Sequence, residues 1–400
     1  MNVKLVLFRS WRGAALAVLA AALTFLPPAV AAQAAGTPLP ALWGMHMVNR
    51  STGWAVTKTE LLRTTDGGLI WQDLTPAGTG GGPIEDAASV NSPSYGGTPP
   101  NLAVRGPKAA WLVVPATNAL TVYRTTDGGA VWNSATLAVD ASGQEPLLMG
   151  VDFVDIHHGW LAVNLSGVAA GSMDIEIYAT TDDGATWHLK SGAAVFADGH
   201  GHTPLGGLKS GFAFATARRG FIAGQSYANA VWLYVSKDAG KSWRARGLAA
   251  PAGSTLERML TTYPITLPPS FVTHYKGFLP VYGPKSAASS PSFLADFYAT
   301  TNGGSTWRPT TPLGTTSFGP RFWGWPDARH GFVAGRAAMR LTSNAGLTWR
   351  KRVVPAKLQG VRQIDFGAAS TGWAIVHDKL FKTTNRGRTW TALAASVTGP

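Results

Sequence analysis

The 400-residue chain contains no cysteine, so it has no disulfides, no thiolate metal ligands and no cysteine for N-terminal lipid attachment. Charged residues are only 14% of the sequence and apolar residues are 45%, which argues against charge-driven disorder and allows a sizeable core. Acidic residues are fewer than basic ones, 21 against 34, and the formal net charge is +13. Such a chain is attracted to anionic partners, although basic charge also serves solubility alone.

Long apolar runs are missing after the N-terminus, as are nucleophile-elbow, phosphate-loop and zinc-protease motifs. The N-terminus has a basic head (Lys4, Arg9 and Arg12), then an apolar run over 14–26 and the small-residue stretch "PPAVAAQAA". This order predicts a signal peptide over residues 1–35. An uncleaved membrane anchor is the alternative, which a run shorter than about 20 residues disfavours. We expect residues 36–400 to be secreted or held at the cell envelope, where nucleic acid is not an expected partner.

One short phrase occurs seven times, with the pattern Ser/Thr-x-Asp/Asn-x-Gly-x-x-Trp; we call these seven segments the boxes. Their third residues are Asp66, Asp127, Asp182, Asp238, Asn302, Asn344 and Asn385. Their closing residues are Trp71, Trp132, Trp187, Trp243, Trp307, Trp349 and Trp390. A phrase repeated at this spacing indicates one supersecondary unit copied along the chain.

The last repeat predicts the structure of each copy. Strands are expected over 361–366, 372–376, 379–383 and 389–393, with the box at the turn between the third and fourth. Four short antiparallel strands per unit of about 40 residues predict an all-β, seven-bladed β-propeller. We expect one domain, 36–400, with its core at 41–397, a monomer, and no helix after the signal peptide. The sequence leaves open how the ring closes.

The box resembles the Asp-box, or BNR repeat, of sialidases, sortilin-type receptors and some glycoside hydrolases. Preceded by "GWAV" at 53–56, it most resembles the photosystem II stability/assembly factor family and its bacterial relatives, over about residues 41–397. The resemblance implies a propeller fold. For function it implies a non-catalytic scaffold or assembly factor that binds a protein partner, or alternatively a sialidase-like carbohydrate-active enzyme or lectin.

The boxes themselves are predicted to hold shape. The Asp or Asn side chain is expected to accept hydrogen bonds from the turn, while the glycine at the fifth position permits positive φ. The tryptophan buries a large surface between neighbouring sheets. Three boxes carry Asn, which cannot transfer a proton, so a structural role is favoured over a catalytic or metal-binding one.

Connectivity assigns loops to two faces. The turns between first and second strands share a face with the boxes, and several are basic. These predict an anion-binding arc of His157, His158, Arg218, Arg219, His274, Lys276, Arg329 and His330, the alternative being ordinary solvated turns. The opposite face receives the long insertions, which we expect to bind a partner. They are Pro76–Asn101, Ser166–Met173, Phe196–Leu208, Gly247–Pro269 and Pro284–Ser292.

Catalytic and metal sites are not predicted. His200 and His202 alternate in one insertion but lack a third ligand of matching spacing, so neither a metal nor a cofactor is expected. A glycosidase needs two facing carboxylates. Asp152 and Asp365 belong to first strands lining the central channel and can meet only across several blades. Asp155 and Asp327 are expected to cap first turns, and the early sialidase signature is missing.

Overall fold

The computed structural model describes residues 37–79, 99–143, 145–165, 168–169, 171–193, 203–204, 206–226, 230–284, 293–316, 322–335 and 338–399. Residues Gly36–Pro400 form one compact body. The predicted signal peptide, His200, His202 and most of the insertion Pro76–Asn101 lie outside the described residues. Within the described ranges, no helix combines the length and hydropathy needed to cross a membrane.

The described chain is of the all-β class, and its strands follow one another in antiparallel groups of four, which we call units and label A to G in chain order. The short strand Ile265–Thr266 pairs with a strand of unit D and with a strand of unit E, so these two units belong to one ten-stranded sheet. After β1 (Thr37–Pro38), unit A contains β2 (Gly44–Met47), β3 (Gly53–Val56), β4 (Leu61–Thr64) and β5 (Ile70–Asp73). Unit B contains β6 (Leu102–Arg105), β7 (Ala109–Ala116), β8 (Ala119–Thr125) and β9 (Asn133–Ala138). Unit C contains β10 (Leu147–Phe153), β11 (Gly159–Asn164), β14 (Ile175–Thr180) and β15 (His188–Ala193), with the hairpin β12 (Val168–Ala169) and β13 (Ser172–Met173) inserted.

The second half repeats this plan. Unit D contains β16 (Leu208–Phe214), β17 (Gly220–Gln225), β18 (Trp232–Ser236) and β19 (Arg244–Ala245). After helix α1 (Thr255–Leu260) and β20 (Ile265–Thr266), unit E contains β21 (Ser270–Phe271), β22 (Gly277–Pro284), β23 (Phe293–Thr300) and β24 (Arg308–Pro309), and β25 (Gly314–Thr316) pairs with β23. Unit F contains β26 (Phe322–Gly324), β27 (Gly331–Ala334), β28 (Ala338–Thr342) and β29 (Arg350–Val353). After a 3₁₀ turn (Ala356–Leu358), unit G contains β30 (Val361–Asp365), β31 (Gly372–Val376), β32 (Lys379–Thr383) and β33 (Thr391–Ala392), followed by β34 (Ser396–Thr398).

Burial falls from the second strand to the fourth within a unit. Every residue of β31 is buried, whereas β33 is exposed throughout. A strand buried on both faces reads as a continuous apolar run, which is why "GWAIV" forms an inner strand. In the last repeat the second and third strands have the predicted bounds. The fourth strand spans only Thr391–Ala392, whereas the sequence predicts 389–393.

Aromatic side chains fill the spaces between successive units. The Phe153 ring of unit C stacks on Trp111 of unit B, with centroids 3.7 Å apart, and Phe214 of unit D stacks on Trp160 of unit C in the same way. The glycine opposite each ring leaves room for it. A Cβ on Gly220 would lie 2.5 Å from the Phe214 ring. Unit B has Val104 in place of the ring and accordingly tolerates Ala110.

Unit G, the last, makes the same hydrogen bond to unit A, the first, as units that are consecutive in the chain make to each other. Trp111 Nε1 of unit B donates to the Asp183 carbonyl in the box of unit C, and Trp160 of unit C donates to Ala239 in unit D. Trp373 of unit G donates in the same way to the Gly67 carbonyl of unit A, at 2.9 Å. The C-terminal β34 also pairs in parallel with β5 at the outer edge of unit A. The other edge of β34 pairs with β1 in the antiparallel direction. The strand added at the junction therefore comes from the C-terminus.

Helix α1 departs from the expectation of no helix after the signal peptide. It lies in the insertion Gly247–Pro269 after unit D and buries Leu256, Met259 and Leu260 against units D and E. The Ser254 side chain accepts from the Glu257 backbone N–H. The sequence signal was the "STLE" capping pattern, which is short enough to be missed beside the strong strand periodicity.

Candidate functional site

Each box is organised around the hydroxyl of its first residue. This Ser or Thr donates to the Asp or Asn side chain two positions on, at 2.7–3.1 Å, and accepts the N–H of the fifth residue at 2.8–3.0 Å. The hydroxyl is therefore satisfied in both directions. The Asp or Asn oxygen accepts a second bond from the turn backbone, as Asp66 does from Leu69 and Ile70. The turn is therefore stabilised by hydrogen bonds between side chains and backbone of the box itself.

In several boxes the third residue also bonds the hydroxyl group of the seventh residue, and the direction of this bond depends on whether the third residue is Asp or Asn. Thr186 and Ser242 donate their hydroxyls to Asp182 and Asp238, at 2.6 Å. In the Asn boxes the side-chain amide donates instead to the threonine at the seventh position, as Asn302 does to Thr306 at 2.9 Å. Burial raises the pKa of Asp182, but the hydrogen bonds from Thr186 and Thr180 outweigh it and lower the pKa to about 2. The carboxylate is held ionised as an acceptor.

The box tryptophans lie between sheets, to different depths. Trp71 and Trp390 are fully buried, Trp243 and Trp307 nearly so, and Trp132, Trp187 and Trp349 are partly exposed. In Trp71, Trp187 and Trp243 the indole N–H donates to the carbonyl of the box's own fifth residue at 3.1 Å. The tryptophan thus ties the end of the box to its turn.

The boxes lie against the turns between first and second strands. The fourth residue of every box donates its N–H to a carbonyl of that turn, for example Ala239 to Arg218 and Ala345 to Arg329, both at 2.9 Å. The fourth residue has positive φ as well as the fifth, and in four boxes it is not glycine: Asp183, Ala239, Ala345 and Arg386. The predicted basic turns and the boxes therefore share one surface of each unit.

The histidines of the predicted arc are mostly engaged within the protein. His158 and His330 lie 3.0 and 2.8 Å from Asp155 and Asp327 of their own turns. His157 contacts Asp183, and His274 Nδ1 lies 3.0 Å from the Ala215 carbonyl.

The carboxylates Asp155 and Asp327 also accept two backbone N–H groups each at 2.7–2.8 Å, so they cap their turns as the sequence predicts. Arg218, Lys276 and Arg329 are exposed. The arc as an anion-binding surface stays a prediction.

Basic side chains, among them Arg219 of the predicted arc, converge in a groove of about 540 Å³ between units D and E. Arg219 donates to the Asn302 carbonyl at 3.1 Å and to Ser305, and Arg246 donates to the Ser305 carbonyl at 2.7 Å. These bonds fix two guanidinium groups on the box of unit E. Lys237 and Arg244 complete the basic wall, and the only acid among the described lining residues is Asp238.

An equivalent, smaller pocket of about 150 Å³ lies between units F and G. His330 stands where Arg219 stands in unit D, Arg350 and Arg352 correspond to Arg244 and Arg246, and Arg388 corresponds to Ser305. The sequence already distinguishes units D and F, because only in these two does the closing tryptophan of the box continue as Trp-Arg-x-Arg. Residues one and three after the tryptophan share one side of a strand, so both arginines face the same groove.

First strands of the units line a central cavity of about 490 Å³. Asp152 accepts from Arg105 of unit B at 2.9 Å and from the Phe214 N–H of unit D at 2.8 Å. Asp365 of unit G accepts from the Met47 N–H of unit A at 2.7 Å. Both carboxylates thus join neighbouring units. Burial lowers the pKa of the nearby Lys209 to about 8, and its ammonium donates to backbone carbonyls.

No metal-binding cluster of three His, Cys, Asp or Glu residues occurs in the part of the chain that the structure describes.

No protein-family model matches the chain, and no curated protein matches it either. Solved structures match in fold. A structure of YCF48 bound to D1 peptide superposes with a TM-score of 0.51 at 15% identity, over 88% of this chain and 95% of that chain.

Two GH74 structures also superpose. The enzyme from Niastella koreensis gives a TM-score of 0.54 at 12% identity, over 91% of this chain and 54% of that one. The xyloglucanase from Xanthomonas campestris gives 0.52 at 15%, over 88% and 53%. The chain thus spans about half the length of the GH74 chains. Likeness at such identities shows the fold alone, a β-propeller.

Proposed function

We propose that residues 36–400 form an exported, monomeric, seven-bladed β-propeller that binds an acidic segment of a protein partner at the membrane or cell wall, without catalysis. Units A to G are the blades, and the Trp373–Gly67 contact closes the ring. The observation that carries the binding role is the groove between units D and E, where four cationic side chains converge and two are fixed by carbonyl groups.

An exposed aromatic side chain favours a protein partner. Tyr275 is 67% exposed, and its carbonyl accepts the N–H of Gly303, the residue whose own carbonyl accepts from Arg219. Arginine and tyrosine are enriched among the residues that dominate protein–protein binding energy. The YCF48 structure with D1 peptide supports the proposal to the extent that a chain of this fold binds a peptide.

Binding of a fluorescein-labelled glutamate-rich decapeptide, measured by fluorescence anisotropy, tests the groove. The double variant Lys237→Gln/Arg244→Gln should weaken binding by about tenfold or more, because each charge-assisted hydrogen bond contributes about 1.5–3 kcal/mol. The matched control is Arg308→Gln, which stands at the position of Arg244 in unit E. An unchanged dissociation constant in the double variant, or an equal loss in the control, contradicts the proposal.

The alternative function is a sialidase-like carbohydrate-active enzyme or a glycan-binding lectin. The central cavity favours it, because Asp152 and Asp365 line that cavity with aromatic residues such as Trp323 and Trp325. Turnover of fluorogenic glycosides that is lost in Asp152→Asn would support the enzyme. The scaffold proposal expects no turnover by the unmodified protein.

A further inference from the structure

The pocket between units F and G differs from the larger groove in one chemically decisive residue. Unit D has Arg219 at this position and unit F has His330. Arginine as a residue type stays charged, whereas histidine as a residue type changes charge between about pH 5 and 8. Four arginines surround it: Arg350 and Arg352 on β29, and Arg386 and Arg388 from the box of unit G. Among the described lining residues of this pocket none is acidic.

The ring of His330 lies between a carboxylate and a guanidinium group. Its Nδ1 lies 3.0 and 2.8 Å from the two oxygens of Asp327, so Nδ1 donates. Its Nε2 lies 3.3 Å from a guanidinium nitrogen of Arg386. A guanidinium only donates, so this contact is a hydrogen bond only while Nε2 is unprotonated. Asp327 lies on the far side of the ring. Burial raises its pKa, but the backbone N–H groups of Arg329 and His330, the hydrogen bond from the His330 ring and the charge of that ring together lower it.

Protonation of Nε2 converts this contact into one between two cations. The bond from Arg386 is then lost, which leaves the guanidinium group of Arg386 and the new imidazolium N–H, both on lining residues of the pocket, available to donate. The pocket wall also holds a buried donor without a partner among the described residues, the Nε of Arg352. An oxyanion accepts hydrogen bonds from donors of this kind, and the arginine fork suits the geometry of phosphate and sulfate groups.

We propose that the pocket between units F and G binds a single sulfate- or phosphate-type oxyanion, and that His330 strengthens this binding at acidic pH. The volume of about 150 Å³ suits one such group, whereas the groove between D and E has room for a chain segment. The site is separate from the peptide groove, so either can exist without the other. By linkage, the bound anion also favours the protonated ring.

Calorimetric titration with sodium sulfate at pH 5.5 and 8.0 tests the proposal, because sulfate keeps its charge over this range. We expect binding about tenfold or more tighter at pH 5.5, within the usual range of coupling between two sites. His330→Gln should reduce the affinity at pH 5.5 to that at pH 8.0. His330→Arg, which copies the arrangement at Arg219, should bind at both pH values alike.

Two further variants guard against misfolding and against a general charge effect. Arg350→Gln changes an exposed residue of the pocket and should abolish sulfate binding with an unchanged circular dichroism spectrum. His158→Gln replaces the histidine at the same turn position in unit C, where arginines do not follow the box, and should have no effect. Equal affinity at the two pH values in the unmodified protein, or binding that survives Arg350→Gln, overturns the proposal.

A second experiment distinguishes a lipid headgroup from a soluble anion as the source of the bound oxyanion. Vesicles of phosphatidylcholine with phosphatidylglycerol are sedimented with the protein at pH 5.5. Sedimentation that is lost in Arg350→Gln and weakened in His330→Gln assigns the site to a lipid headgroup. Sulfate binding without sedimentation assigns it to a soluble anion. Absence of both sulfate binding and sedimentation at pH 5.5 rejects the site, whatever the result of the acidic-peptide experiment.

Discussion

At the scale of single residues, the repeated phrase is a turn held by one hydroxyl. Thr180 shows the arrangement: it donates to Asp182 at 2.7 Å and accepts the buried N–H of Gly184 at 3.0 Å. The residue after it, Thr181, is exposed and varies between boxes. The invariant hydroxyl at the first position therefore follows from the hydrogen-bonding needs of the turn backbone.

Thr180→Val should lower the free energy of unfolding by about 1–3 kcal/mol, because it keeps the shape and leaves the Gly184 N–H buried without an acceptor. The control is Asp238→Asn, for which we expect a change below about 0.5 kcal/mol. An asparagine there can donate to Ser242, as Asn302 donates to Thr306. Urea unfolding at pH 7 measures both. A larger loss in the Asp238 variant would show that the charge, and not the turn geometry, stabilises the box.

A buried carboxyl group makes stability depend on pH. Asp296 is 3% exposed, and burial raises its pKa to about 7, against the smaller lowering by the Phe297 N–H and Thr310. An unfolded aspartate has a pKa of about 3.9, so this group favours the folded state below that pH. The advantage is lost as the pH rises through about 7.

Asp296→Asn should therefore stabilise the protein at pH 8 by about 2–4 kcal/mol and have little effect at pH 4, because three pKa units correspond to about 4 kcal/mol. Urea unfolding at several pH values between 4 and 8 gives the comparison. Asp182→Asn serves as the control, because a carboxyl with its pKa near 2 is ionised throughout this window. A parallel pH dependence of the Asp296 variant and the unmodified protein would exclude this carboxyl as the source.

At the scale of elements, the four-stranded repeat was predictable because each strand carries its own signal. Inner strands such as "GWAIV" read as continuous apolar runs, and the box marks the last turn of every unit. Elements without such a signal were missed. The three residues of β34 carry no periodicity, and α1 is announced only by its cap.

The candidate site was less predictable, because its residues meet only across neighbouring units. His330 and Arg386 are far apart in sequence and belong to different repeats, and nothing local indicates that their side chains touch. The predicted arc counted His157 and His158 as available cations, although Asp183 and Asp155 lie against them. Trp-Arg-x-Arg is the sequence pattern that the groove between units D and E and the pocket between units F and G share. It becomes apparent only when the repeats are aligned with one another.

The glycine at the start of the second strand also follows from comparing the repeats. Gly220→Ala should destabilise the protein by about 1–3 kcal/mol, because the new methyl group would meet the Phe214 ring, which stacks on Trp160 and cannot move away. Combined with Phe214→Val, the arrangement of Val104 and Ala110 in unit B, the same substitution should cost much less. Urea unfolding of the two single variants and the double variant gives the coupling energy. Additive changes would mean that ring and glycine do not interact.

At the scale of the whole molecule, the chain ends meet through several kinds of contact between units G and A. Gln363 exchanges two hydrogen bonds with the backbone of Met45, both at 2.8 Å. Trp373 packs with Met45 and Leu62 in one cluster. Parallel pairing of β34 with β5 then adds the C-terminus to the outer edge of unit A. A strand at this edge removes the exposed edge that unit A would otherwise present.

The contact between the last and first units predicts a difference between two otherwise matched tryptophans. Trp54 and Trp373 both follow the first glycine of a second strand, both are fully buried, and each has a cation over its ring, Arg63 and Lys382 respectively. Only Trp373 donates across a junction, to Gly67 of unit A, whereas the Trp54 Nε1 has no partner among the described residues. Trp373→Phe should therefore cost about 1 kcal/mol more unfolding free energy than Trp54→Phe. Equal losses in urea unfolding would mean that the indole bond between the last and first units does not form in solution. An excess loss in Trp373→Phe that disappears when residues 394–400 are removed would show that the C-terminal strand holds these two units together.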